Sequence, residues 1–346
     1  MSFLGITLCK RSNLKTLIIR TSLGLLLSTF LVSTPTFSSK MFQGKNNLIA
    51  FNNIAQAMEQ SNDESVDKPF SIIWFTDTQY YASKYPETYD FLGNWLVKEY
   101  HKGTFEYAIN TGDIVDSASD VNQWKIASDS FKKLDAADVP YGVVAGNHDV
   151  TLNGIDYSMF SKYFGKSRYK HNPWYGGSKC DNQSHYDLLS FGHHDFIILY
   201  LGYDSEIADK TIKWSNKILK KYSDRTAILA THEYLENNGE LSSVAQRVFN
   251  NIIMENSNVT LVLCGHNYGA VRNIKTIINA DGSTRNVLEL LSNYQKDESG
   301  GAGFLRYLNF NPAKGTLNVV TYSPYLNKYN FFEANQDSFT EKIQLK

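Results

Sequence analysis

From Phe70 onward the chain keeps changing its period, with short apolar runs alternating with helical patterns. The run FSIIWFT at Phe70 precedes the helical pattern ETYDFLGNWLVKEY, FEYAIN at Phe105 precedes VNQWKIASDSFKKL, and YGVVAG follows at Tyr141. That alternation is βαβαβ and restricts the chain to an α/β fold. Two more strands, SHYDLLSF and DFIILYLG, hinge at Gly192. An amphipathic helix from Ile207 to Tyr222 follows, then TAILATH, a helix from Leu241 to Met254 and the strand NVTLVLC. Beyond Gly269 the pattern becomes antiparallel, with turns at Asp281-Gly282 and Lys314-Gly315. Alternating βα units that feed extra antiparallel strands predict two packed sheets flanked by helices. In such sheets ligands gather beyond the carboxyl ends of the strands.

The unusual polar residues stand at those ends. In order they are Asp77-Thr78-Gln79, Gly112-Asp113-Ile114-Val115-Asp116, Gly146-Asn147-His148-Asp149, Thr231-His232-Glu233 and Gly265-His266-Asn267-Tyr268. A lone Asp or His after a strand is ordinarily a helix cap or a satisfied polar group. Carboxylates, amide oxygens and imidazoles converging on one rim are instead what Mn, Fe or Zn ions want. The glycines let the backbone turn sharply enough for the donors to point back at one spot.

The ordered set D-x-Q, GDxxD, GNHD, H and GH resembles the calcineurin-like metallophosphoesterases, and most of all a secreted branch with DTQYY, THEYL and TYSP. Those motifs stand here at Asp77 to Tyr81, Thr231 to Leu235 and Thr321 to Pro324. The resemblance implies a four-layer α/β/β/α sandwich of two mixed sheets over residues 69–346, holding two divalent or mixed-valence metal ions. It implies that Asp113 bridges both metals, that Asp77 and Gln79 hold the first, and that Asn147, His232 and His266 hold the second. A metal-bridging hydroxide would then attack phosphorus. His148 would face the substrate to stabilise phosphoryl charge or protonate the leaving oxygen, with Asp149 orienting its ring. Asp116, taken as one helical turn beyond Asp113, reads as a support for a ligand rather than a ligand.

Two positions depart from the family pattern. Gln79 stands where histidine is usual, and its amide oxygen can still ligate. Tyr268 ends a GHxH motif that normally ends in histidine, and a neutral phenol, with a pKa near 10, is a poor ligand. It could serve as phenolate on Fe(III); otherwise the first site is weakened or another donor fills it. Trp174 and Tyr175, in the stretch WYGG, read either as aromatic packing or as a wall of the substrate cleft. Tyr80 and Tyr81 carry the same pair of readings. His193 and His194 read as a hairpin turn, since adjacent strand residues point to opposite faces. Trp95 and Trp124 read as core, and the lysines of the helix from Ile207 as a solvated face.

The N-terminal segment has a different character. No acidic residue precedes Glu59, while Lys10, Arg11, Lys15 and Arg20 lead into the apolar run Thr21 to Ser33, too short to span a bilayer as a helix. This predicts a secretory signal peptide over residues 1–38, with an uncleaved signal anchor or a mitochondrial transit segment as alternatives, and a polar linker over 39–68. Cys9 would leave with the signal, and Cys180 and Cys264 are too few for a disulfide framework. A formal charge of −1 with no basic stripe argues against a stable nucleic-acid complex. The sequence thus predicts an exported phosphoesterase acting on small phosphate mono- or diesters, with no membrane span after signal cleavage. The alternatives are a catalytically weakened metal-binding protein on the same fold, or a nucleotide or nucleic-acid phosphodiesterase.

Overall fold

The computed structural model describes residues 67–151, 156–279 and 281–346. The expected signal peptide or anchor, Cys9 and all but the last two residues of the expected linker lie outside them. The strands run β1 (Phe70–Phe75), β2 (Tyr107–Asn110), β3 (Tyr141–Val143), β4 (Tyr175–Lys179), β5 (Ser184–Phe191), β6 (His194–Leu201) and β7 (Thr226–Thr231). They continue with β8 (Val259–Cys264), β9 (Gly269–Ile278), β10 (Thr284–Asn293), β11 (Leu305–Asn311), β12 (Thr316–Ser323), β13 (Lys328–Tyr329) and β14 (Ser338–Lys342).

Two mixed seven-stranded sheets result. One has the order β13-β12-β11-β1-β2-β3, with β14 also on β12; the other has β4-β5-β6-β7-β8-β10-β9. In the first, β1, β2 and β3 are parallel, and in the second β6, β7 and β8 are parallel. The central strands are apolar on both faces because both faces are covered, as parallel strands require.

Alternation along each strand builds the layers. Ile72, Trp74, Tyr107 and Ile109 of the first sheet meet Ile198, Tyr200, Ile228, Leu261 and Leu290 of the second in one inter-sheet core. Their neighbours Ile73, Phe75 and Ala108 face the other way, onto Leu92, Leu96, Trp124 and Phe131 of the helices Pro86–His101 and Val121–Ala136. Likewise Ile197, Leu199, Leu229 and Val262 turn onto Ile212 and Leu219 of the helix Asp209–Lys221 and onto Val248 and Ile252. The order is therefore helix, sheet, sheet, helix. The helix Val121–Ala136 starts where Asp120 caps it, accepting from the backbone N–H groups of Asn122 and Gln123. At the other end of the molecule from the parallel strands' exits, Gly192 and His193 form the two-residue turn between β5 and β6, and His193 is exposed.

Candidate metal centre

Each donor leaves a parallel strand at its carboxyl end, and the exits are tied to one another by backbone bonds. Asp77 N donates to Gly112 O at 2.9 Å, Gly265 N to His232 O at 3.0 Å, and Tyr203 N to Ala145 O at 3.0 Å. Asp77, Asp113 and His266 all adopt positive φ, of 52°, 52° and 68°. The backbone therefore reverses at each of them, and their side chains return over the strand ends.

Asp77, Asp113 and His232, all buried, bring one ligand atom each within 4.8 Å of one another. Around His232 the set widens. Its Nδ1 donates to Thr111 O at 2.9 Å, so Nε2 is the nitrogen turned to the site, facing Asn147 Oδ1 at 3.0 Å, His266 Nδ1 at 3.3 Å and Asp113 Oδ1 at 3.3 Å. Asn147 Oδ1 also lies 2.9 Å from His266 Nδ1. A histidine whose second nitrogen is held by a backbone carbonyl is oriented as metal-ligating histidines are. On the other side of Asp113, its Oδ2 accepts from Gln79 Nε2 at 3.1 Å. Asp77 receives Thr76 Oγ1 at 2.7 Å, Asn293 Nδ2 at 2.8 Å and the His266 backbone N–H at 3.2 Å.

Charge and donor chemistry both suit a cation here. Burial, reinforced by Asp113, pushes Asp77 up to about 7 in spite of His232. Burial works against charge on His232, yet Asp113 and its hydrogen bond carry the imidazole up to about 10. Burial opposes ionisation of Asp113 as well, but His232 and then His148 hold it below its usual range. Buried carboxylates this close call for positive charge. In addition, Gln79 Oε1 is buried and accepts no hydrogen bond, which leaves an amide oxygen free to ligate.

The sequence profile described as calcineurin-like phosphoesterase matches residues 70–269. The chain belongs to the calcineurin-like phosphoesterase family. It is also 41% identical over 283 residues to "Uncharacterized protein YvnB" of Bacillus subtilis (strain 168), a match that covers 80% of this chain and 22% of that protein. The chain thus spans about a fifth of that relative's length. Among solved structures it resembles the purple acid phosphatase PPD1 from yellow lupin (Lupinus luteus) seeds. The TM-score is 0.50 at 13% identity, covering 79% of this chain and 54% of that one, which is a likeness of fold.

Several family positions carry side chains whose placement differs from the sequence expectation. Tyr268 turns toward Phe331 and Phe332, with ring centroids 6.5 and 5.5 Å away, and Lys296 Nζ sits 5.1 Å above its ring. Burial, followed by Asp297, raises its pKa. Asp149 does not orient His148. It is buried, with Oδ1 accepting from Ile114 N at 2.8 Å and Val115 N at 2.9 Å and Oδ2 from Gly146 N at 2.8 Å. Both oxygens are committed to the loops that carry Asp113 and Asn147. The His148 ring is held instead by Asp116, whose carbonyl accepts from Nδ1 at 2.8 Å and whose carboxylate lies 3.6 Å away. Asp116 is not a helical turn beyond Asp113, because residues 113–116 form no helix.

Trp174 and Tyr175 belong to the packing. Trp174 lies against the inter-sheet core, and Tyr175 stacks on Tyr169 and His185 and donates to Asn182 Oδ1 at 2.8 Å. Sequence reasoning missed Asn293 and Gln295 at the exit of β10. No motif marks them, and only the pairing of β10 with β8 brings that exit alongside the others.

Proposed function

We propose that this chain is a metal-dependent phosphoesterase that hydrolyses phosphate monoesters or diesters. The observation that carries the proposal is the Asp113 carboxylate, standing between two groups of donors with one oxygen toward each. Asp77, Gln79 and Asp113 would hold one ion, and Asp113, Asn147, His232 and His266 the other. Bound there, the ions supply Lewis acidity and an activated water for in-line displacement at phosphorus.

The chain's own residues do the rest. Thr111 O fixes the tautomer of His232, and Asp149 fixes the loops. His148 is half-buried, with Nδ1 occupied by Asp116, so Nε2 is the nitrogen left for substrate. Burial lowers its pKa, but Asp113 and Asp116 outweigh that and raise it; an imidazole there can donate to a phosphoryl or a leaving oxygen.

The basic and apolar N-terminal segment supports export. Among the described residues no helix is long and apolar enough to cross a membrane. The test of the activity is Asp113→Ala, which should abolish hydrolysis of an aryl phosphodiester; a variant that keeps the parent rate would overturn the mechanism.

A further inference from the structure

An amide binds a cation through its oxygen only, and its two ends are nearly equal in size, so something must decide which end of Gln79 faces the metal. Gln79 is completely buried. Its Nε2 donates to Asp113 Oδ2 at 3.1 Å and to Gln295 Oε1, which uses both N–H bonds of the amide. Its Oε1 accepts nothing. Turning the amide over would set that oxygen against the Asp113 carboxylate, which cannot donate, and strand the N–H that Asp113 now accepts, an unfavourable exchange in a buried place.

One of the two acceptors is the bridging candidate Asp113; the other comes from outside the family motifs. Gln295 is seated by Asn293, whose Oδ1 accepts from Gln295 N at 2.9 Å. The same Asn293, fully buried, donates through Nδ2 to Asp77 Oδ1 at 2.8 Å and to His266 O at 3.0 Å. One strand end thus holds the carboxylate of Asp77, the loop of His266 and, through Gln295, the amide of Gln79. We infer that Gln295, seated by Asn293, is a positioning residue that presents the Gln79 amide oxygen to the metal on the Asp77 side. With that amide fixed, the first site is built without a ligand at Tyr268. The inference rests on the two-metal reading above.

The test is titration of Mn²⁺ into the metal-free full chain, followed by calorimetry and electron paramagnetic resonance. The parent should take up two ions and show the spectrum of an exchange-coupled pair. Gln295→Met removes the acceptor at similar length. It should weaken one of the two sites about 10- to 100-fold and replace the coupled spectrum with that of isolated Mn²⁺. Gln295→Glu keeps an acceptor oxygen and should restore both. Should the methionine variant fail to fold, Gln295→Lys makes the same comparison, since lysine suits a half-buried position but only donates. Two ions bound with parental affinity and coupling in a folded Met or Lys variant would overturn the inference and leave the two-metal reading standing. A parent that binds no Mn²⁺ would overturn both.

Discussion

Asp77, Asp113 and His266 occupy backbone that side chains with a Cβ ordinarily avoid. Such a conformation costs of the order of 1–3 kcal/mol per residue and persists only where neighbours hold it. Here the neighbours are themselves site residues, since His148 N donates to Asp113 Oδ1 at 3.0 Å and His266 N donates to Asp77. Gly146 shows how tight the arrangement is. A Cβ there would stand 2.2 Å from Asp113 Oδ1 and 2.8 Å from His232 Cε1, so Gly146→Ala must displace both donors. Its expected outcome is a folded protein with fewer Mn²⁺ bound per chain and no measurable hydrolysis, read by elemental analysis and an aryl phosphodiester assay. His148→Ala should lower kcat by about 10²- to 10⁴-fold with little change in KM, because a group acting on transition-state charge is missed there and not in the ground state. Tyr268→Phe keeps the ring against Phe332 and removes only the hydroxyl, so metal content should stay at the parental value. The donors at five strand ends were legible in the sequence because each follows an apolar run directly. The packing of the Tyr268 ring against Phe331 and Phe332 was not, since those partners lie some 60 residues further on.

At the scale of elements, the segment after β12 is what gives Tyr268 its surroundings, and a buried ion pair anchors that segment. Asp337 is fully buried and accepts from the backbone N–H groups of Phe331 and Phe332 and from Tyr294 Oη at 2.9 Å. Arg306 of β11, equally buried, reaches Asp337 at 3.4 Å, donates to Gln336 O at 3.0 Å, and lies 5.6 Å over the Trp74 ring. Removing one partner of a buried pair leaves the other charge without compensation. Asp337→Ala is therefore expected to destabilise the chain by about 3–5 kcal/mol, measured as a lower urea midpoint at unchanged slope. The strands and helices themselves were readable from period and turn chemistry, because burial on one or two faces writes itself into the sequence. Arg306 was not readable, since a charged residue within a strand pattern ordinarily signals a solvated face, and Asp337 stands in the polar stretch EANQD, where nothing marks burial. Trp174 and Tyr175 illustrate the converse: an aromatic pair in a polar stretch read either as packing or as a cleft wall, and the half-buried rings pack against the two cores.

At the scale of the whole molecule, the site exists only while two sheets stay in register, because Asp77 and Asp113 come from one and His232 and His266 from the other. Apolar contact between the sheets is non-directional, and the polar group embedded in it adds direction. Tyr107 on β2 donates to Asp187 on β5 and lies 3.0 Å, hydroxyl to hydroxyl, from Tyr200 on β6. Burial raises the Asp187 carboxyl well above its usual range, so the folded protein keeps it protonated where the unfolded chain, with a pKa near 4, has lost the proton. Between those two values the native state binds more protons, and stability must fall as pH rises, by up to about 1.4 kcal/mol per pH unit. Asn at 187 can still accept from Tyr107 Oη and has no proton to lose. Asp187→Asn should accordingly gain on the parent as pH rises, with a larger difference in urea midpoint at pH 7 than at pH 5. An equal difference at both would mean that Asp187 is ionised in the folded state. The sheet-to-sheet link would then carry a buried charge, and some cation or donor near Tyr107 and Tyr200 would have to balance it.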